Sequence, residues 1–314
     1  MTKAIWTICF LLMFVLVVVI GQGVISSGQT KKVVSGVKTD LPDLDSNSLQ
    51  KPPQEKANAQ DPKVYAKSAI LIDETSFKTL YQKDSEIKVP IASTTKIMTA
   101  TVVLEDYPDK MKDVVTITRE MANVEGSGAQ LRIGEKISVE SLLKGLLIVS
   151  GNDAAYSLAS YLGGKDKFVE EMNEKAVFLG LNNTFYKDPA GLDDEGYSTA
   201  RDLAILASYA MRNEAFAKIV STPEINIISE DGLVLHEFKN SNRMLRDEEQ
   251  FYYPFAIGVK TGFTLDAGHC LVSSAQKDGH RLIAVILNTN ENTLTASAKE
   301  SRKLLDWGFS NWTW

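Results

Sequence analysis

The sequence predicts an α+β domain in which strands from both ends of the domain build one antiparallel sheet, with a helical region between them. Three observations carry this reading. β-rich apolar runs appear soon after residue 64, apolar residues recur at helical spacing between residues 94 and 213, and strand-like runs return beyond Pro223. Strands at both ends and helices in the middle imply that the two termini of the domain complete its sheet.

Ahead of the domain the texture is different. After Lys3 an apolar run extends from Ala4 to Ile20, broken only by Thr7. At about 1.5 Å per helical residue it almost spans a hydrocarbon core. Gly21, Gly23, Ser26 and Ser27 follow, so residues 1–27 read as a signal peptide or as an uncleaved membrane anchor. Cys9 lies early in the run instead of beside a cleavage site, which argues against a lipoprotein anchor. Residues 28–62 are polar, with Pro42, Pro52 and Pro53, the composition of a flexible linker. Residues 63–314 are then expected to form an exported domain.

Within it, residues 65–73 and 79–82 read as two strands, with Asp73, Glu74 and Ser76 suited to the turn between them. Residues 94–105 carry Ile97, Met98, Val102 and Leu104 at helical spacing, and residues 139–149 carry Leu142, Leu143, Leu146 and Leu147. Further helices are expected over 153–162, 165–179 and 199–213, the last with Ser198 as its N-cap. Strands follow over 255–260, 269–275 and 281–287, with a turn at Lys277-Asp278-Gly279, and a helix over 295–307 closes the domain. No internal repeat is visible.

Composition narrows the function. Hydrophobic residues at 44% and charged residues at 24% match a folded globular chain and exclude a disordered one. A net charge of −6 supplies no basic field for phosphate, which argues against nucleic acid as a partner. Cys9 and Cys270 are the two cysteines, so no intrachain disulfide is expected, and Cys270 reads as a buried thiol in a strand. His236, His269 and His280 lack metal-ligand spacing, so no metal site is assigned.

Ser-x-x-Lys places a hydroxyl and an amine one helical turn apart, where the amine can act as base for the hydroxyl. The pattern occurs six times, from Ser35, Ser48, Ser85, Ser93, Ser141 and Ser274, so any single match is weak. Ser93 differs in context: it follows Val89-Pro90-Ile91-Ala92 and opens a strongly apolar helix. A helix start offers unpaired N–H groups and a positive dipole end to the oxyanion of acyl transfer. For Lys96 to act as a base it must be neutral, which calls for burial and a neighbouring positive charge.

Lys260-Thr261-Gly262 is the chain's one Lys-Thr-Gly and ends an expected strand. Lys260 could supply the second charge, Thr261 could bond a substrate carboxylate, and Gly262 could let an extended peptide lie along the strand edge. An ordinary strand-end turn is the plainer reading. Ser150-Gly151-Asn152, the one Ser-x-Asn, lies between two apolar helices and could be only a junction. In a catalytic reading Ser150 relays a proton from Lys96 to a leaving amine, and the Asn152 amide holds a peptide carbonyl.

In this order the three motifs resemble those of the penicillin-binding serine enzymes. The wider text is similar to low-molecular-mass D-alanyl-D-alanine carboxypeptidases: Pro90 to Thr99, Asp188-Pro189-Ala190-Gly191-Leu192-Asp193, Ser198 to Ala204, and Lys260-Thr261-Gly262-Phe263-Thr264 with Ala267-Gly268. The resemblance implies a β-lactamase/transpeptidase-like fold and a two-step acyl transfer on Ser93. The implied substrate is a peptidoglycan stem pentapeptide ending in D-Ala-D-Ala, and β-lactams are the implied covalent inhibitors. It places the Phe263 N–H beside that of Ser93 as the second oxyanion donor, and needs neither metal nor organic cofactor.

Two departures stand out. The chain ends soon after Phe309, without the C-terminal β-rich domain and amphipathic anchor that many such relatives add, so membrane attachment is expected through the N-terminus. Relatives also tend to carry a carboxylate-binding arginine before the last helix, whereas residues 291–300 hold only Lys299 as a cation. A D,D-endopeptidase and a β-lactamase are rivals on the same scaffold. A catalytically silent envelope-binding protein is the rival of another class.

Overall fold

The computed structural model describes residues 51–291 and 293–314. The expected signal or anchor segment and residues 28–50 of the linker lie outside the described residues. Among the described residues no helix is long and apolar enough to cross a membrane.

In chain order the first strands are β1 (Gln54–Glu55), β2 (Ala66–Asp73) and β3 (Thr79–Lys83). The helical middle follows, as α1 (Lys96–Asp106), β4 (Val114–Thr116), α2 (Arg119–Ala122), β5 (Lys136–Ser138), α3 (Val139–Leu147), α4 (Asn152–Tyr161), α5 (Lys165–Phe178), α6 (Ala200–Met211) and α7 (Glu214–Val220). The chain then returns through β6 (Glu224–Ile228), β7 (Leu235–Lys239), β8 (Ala256–Thr264), β9 (Gly268–Lys277), β10 (His280–Thr289), α8 (Ala296–Asn311) and β11 (Trp312–Thr313).

One five-stranded sheet, ordered β3-β2-β10-β9-β8 with every neighbouring pair antiparallel, joins both ends of the domain as the sequence predicts. The period-2 alternation of a strand explains how both faces are filled. Ile70 and Ile72 of β2 and Ile283, Val285 and Leu287 of β10 pack with the helical middle. Their alternates, Ala69, Leu71, Leu282, Ala284 and Ile286, pack with Leu304, Leu305 and Trp307 of α8. Gly308 lets α8 approach this closely, because a Cβ there would stand 2.6 Å from Leu71 Cδ2 and 2.8 Å from Leu282 Cδ1. Two apolar faces explain why β2 and β10 read as nearly unbroken apolar runs.

Several boundaries differ for local reasons. The helix expected over 199–213 ends at Met211, because Asn213 turns to cap α7, its Oδ1 accepting from Ala215 N and Phe216 N. Its N-cap is Thr199, whose hydroxyl accepts from Asp202 N at 3.0 Å, while the Ser198 hydroxyl bonds that of Thr184. The turn between β9 and β10 is the pair Asp278-Gly279, both at positive φ (51° and 83°), the conformation a tight hairpin requires. Cys270 lies buried on β9 as expected, its Sγ 3.5 Å from the Ala267 carbonyl, and burial pushes the thiol up to about 12.

Residues 51–62 correct the linker boundary. β1 pairs with β11, Lys56 N donates to Asn311 O at 2.9 Å, and Trp307 Nε1 donates to Gln60 O at 2.7 Å. Backbone bonds hold this polar stretch to the domain, which composition does not reveal. The edge strand β8 lies at the opposite side of the large sheet from β3, and the candidate site is built around it.

Candidate active site

Ser93 does not open an α-helix. It sits in a 3-10 turn, Ala92–Thr95, that leads into α1 at Lys96. Ala92 is held at φ +47°, a left-handed conformation uncommon for a residue with a Cβ. Two glycine backbones press on this turn. A Cβ on Gly191, itself at φ +76°, would lie 2.0 Å from Ala92 O. One on Gly262 would lie 2.9 Å from Ile91 O and 3.1 Å from Ser93 N. Gly262 is thus required for β8 to pack on the Ser93 turn, a nearer reason for glycine than the edge clearance that the sequence suggests.

The turn still brings the pair together. Lys96 Nζ lies 2.7 Å from Ser93 Oγ, 2.7 Å from Asn152 Oδ1 and 2.9 Å from the Ala190 carbonyl. Lys96 is fully buried, and burial depresses its ammonium to about 7 against the opposing pull of Asp188 and Asp153. A neutral amine has two hydrogens and one lone pair. The two carbonyl-type oxygens can only accept, so they take both hydrogens, and the lone pair is left facing the Ser93 hydroxyl. Such an arrangement can take up a proton from the serine.

Asn152 starts α4 and is used at both ends, since its Nδ2 donates to Glu125 O at 2.6 Å. Ser150 is buried and held at φ +66°, yet its hydroxyl makes no hydrogen bond to Lys96 or Ser93 among the described residues. The Ser-x-Asn junction therefore delivers its asparagine to the lysine.

Lys260, Thr261, Gly262 and Phe263 do not end a strand, because β8 continues through Thr264. Lys260 is buried, and burial together with the charge of Lys96 pushes its ammonium well below the usual range. Burial, not the field of Lys260, is the leading cause at Lys96. Lys260 Nζ donates to Thr261 O at 3.0 Å, and the Thr261 hydroxyl lies 2.8 Å from that of Ser241. Phe263 is half-exposed and its ring stacks on His269 at 4.4 Å.

The other Ser-x-x-Lys matches within the described residues fail on geometry. Ser85 bonds Gln82 while Lys88 lies over the Tyr197 ring. Ser141 bonds Ser138 while Lys144 pairs with Glu140. Ser274 is buried without a partner and Lys277 lies over Phe255.

The sequence profile of the D-alanyl-D-alanine carboxypeptidase family matches residues 55–291. The chain belongs to that family. It is 38% identical over 252 residues to the D-alanyl-D-alanine carboxypeptidase DacF of Bacillus subtilis, a match covering 79% of this chain and 63% of that protein. It is 36% identical over 244 residues to a D-alanyl-D-alanine endopeptidase of Pseudomonas aeruginosa, covering 77% of each. Among solved structures, the Streptomyces K15 DD-transpeptidase superposes with a TM-score of 0.74 at 33% identity, over 80% of this chain and 100% of that one. The α+β architecture is therefore the DD-peptidase fold of the β-lactamase-like superfamily.

Within this family member, residues beyond the three motifs shape the site. The Ala190 carbonyl and the Glu125 carbonyl are backbone atoms, which residue identity does not announce. Ser241 shows no motif at all. The carboxypeptidase-family segment Asp188 to Asp193 is their one visible signal, and it forms the loop that reaches Lys96. Lys299, on α8, pairs with Glu291, which precedes that helix, at 2.7 Å. A cleft of about 420 Å³ beside β7 shares Val149 with this region but includes neither Ser93 nor Lys96.

Proposed function

We propose that the chain is a serine-type D-alanyl-D-alanine carboxypeptidase of the bacterial cell envelope, exported and tethered or released through its N-terminus. One observation carries the reading: the buried Lys96 Nζ lies 2.7 Å from Ser93 Oγ while Asn152 Oδ1 and the Ala190 carbonyl take its other two contacts. The stem pentapeptide adds as an extended strand along the free edge of β8, its terminal carboxylate near Thr261 and Lys260. Ser93 Oγ attacks the carbonyl of the penultimate D-alanine and gives its proton to Lys96. The N–H groups of Ser93 and Phe263 take the oxyanion, and one Asn152 amide hydrogen remains for a substrate carbonyl.

As the intermediate collapses, Lys96 gives the proton to the leaving amine, by way of the Ser150 hydroxyl once bound substrate draws that group into the path, and terminal D-alanine departs. Water then attacks the acyl-serine ester, returns a proton to Ser93 and frees the shortened peptide. A β-lactam follows the first half of this course and remains as the acyl-serine.

Two expected results test the proposal. The acylation rate by penicillin should rise through pH 7 and level off above, because only the neutral form of Lys96 accepts the proton. Labelling rates measured across that range decide it, and a flat profile would assign the base elsewhere. Replacing the substrate's free carboxylate by an amide should lower kcat/KM by about 10 to 150-fold, the worth of a charge-assisted bond of roughly 1.5–3 kcal/mol. Equal cleavage of acid and amide, with ready opening of cross-linked dimers, would instead favour the endopeptidase reading. That reading draws on the 36% identity to the Pseudomonas aeruginosa endopeptidase and on the engagement of Lys299 by Glu291.

A further inference from the structure

We infer that Asp188 is a positioning residue for acylation: by fixing the Ala190 carbonyl it sets the direction in which Lys96 presents its lone pair to Ser93. The inference rests on the reading of Lys96 as the base. Asp188 is buried, and both carboxylate oxygens are filled by backbone donors of its own loop. Oδ1 accepts from Ala190 N at 2.7 Å and Gly191 N at 2.8 Å, and Oδ2 accepts from Leu192 N at 3.0 Å and Asp193 N at 2.8 Å. No cation pairs with it among the described residues. A buried carboxylate satisfied only by amides is a costly group to keep unless its geometry is used.

The loop it shapes is tied to the nucleophile at three points. Ala190 O accepts from Lys96 Nζ at 2.9 Å, Gly191 packs on Ala92 with no room for a Cβ, and Pro189 O accepts from Thr99 Oγ1 at 2.6 Å one turn along α1. Without the Ala190 carbonyl a neutral Lys96 would be free to turn a hydrogen instead of its lone pair toward Ser93. An asparagine at 188 offers one accepting oxygen, so it cannot accept all of these N–H groups.

The charges around Lys96 define a second signature. Asp188 faces it from the loop, Asp153 from α4 and Lys260 from β8, while Ser93 and Asn152 are neutral. Asp153 is itself occupied by the N–H groups of Ala129, Leu131 and Ala154. Tyr156 of α4, also near Asp188, is pushed up to about 12 and adds no charge. Asp188 favours the ammonium form of Lys96, so losing its charge moves the onset of acylation to lower pH.

The test compares wild type, Asp188→Asn and Thr99→Val by penicillin labelling across pH, with peptide mapping of the adduct. For Asp188→Asn the plateau acylation rate should fall about 10 to 100-fold, part of the ~10² to 10⁴ that a general base is worth. Initial penicillin binding should hold and the acid limb should shift downward. A wild-type plateau, or a slower rate with an unmoved limb, overturns the inference alone. Wild-type labelling that does not map to Ser93 overturns the functional reading as well. If Asp188→Asn does not fold, Thr99→Val decides: it removes the Pro189 tie, one of the three that hold the loop's carbonyl in place, and should slow acylation several-fold, and a wild-type rate overturns the inference.

Discussion

Ser93→Ala is expected to abolish both penicillin labelling and peptide cleavage while leaving the domain folded. The hydroxyl makes one side-chain hydrogen bond, to Lys96, and that amine keeps Asn152 and Ala190 as partners. The loss of stability should therefore stay near the ~0.5–1.5 kcal/mol of a single hydrogen bond. Intact mass after penicillin treatment reads the first effect and thermal unfolding the second. Labelling of the variant at the wild-type level would remove Ser93 from the site. Ser85→Ala and Ser141→Ala serve as controls and should label normally, because neither hydroxyl is bonded to the lysine that follows it.

Lys96→Ala should slow acylation by about 10² to 10⁴-fold, the usual worth of general-base help, with little change in initial ligand binding. The substitution also strips a partner from two acceptors, Asn152 Oδ1 and Ala190 O, in a fully buried place. Unsatisfied buried groups cost about 1–3 kcal/mol each, so the folded fraction must be measured and the rate normalised to it. A normalised rate near wild type would require a different base.

How much of this was legible depends on whether side chains or backbone carry the signal. Long apolar patterns such as Leu142 to Leu147 or Leu282 to Leu287 announce their elements because one or both faces are filled by the core. β4, β5, α2 and α7 are too short to show a period, and the half-exposed hairpin of β6 and β7 has no clean one. Gly262 looks like a turn residue, yet the strand runs through it to Thr264 because β9 pairs with it there, Gly262 with Cys270 and Thr264 with Gly268, while the Ser93 turn leaves no space for a Cβ at 262. Ser93, Lys96 and Asn152 were visible through spacing and order. Ala190 stands in a segment that carries the family resemblance, but its contact with Lys96 is not legible there, since it contributes a carbonyl that any residue possesses. Ser150 is expected from the sequence to relay a proton, and among the described residues no hydrogen bond joins its hydroxyl to Lys96 or Ser93.

The turn bearing Ser93 is pressed between the backbones of Gly191 and Gly262, and its lysine is oriented by residues 152 and 190. The hydroxyl and amine are neighbours in sequence, but what makes them reactive arrives from far along the chain. Contacts of such separation form only after long loops have closed. Burial is what lowers the Lys96 ammonium, so a chain in which α4, the 188–193 loop and β8 have not closed around that lysine is expected to leave it charged and Ser93 without a neutral base. A nascent or partly unfolded copy is therefore expected to be chemically dormant until those distant segments meet.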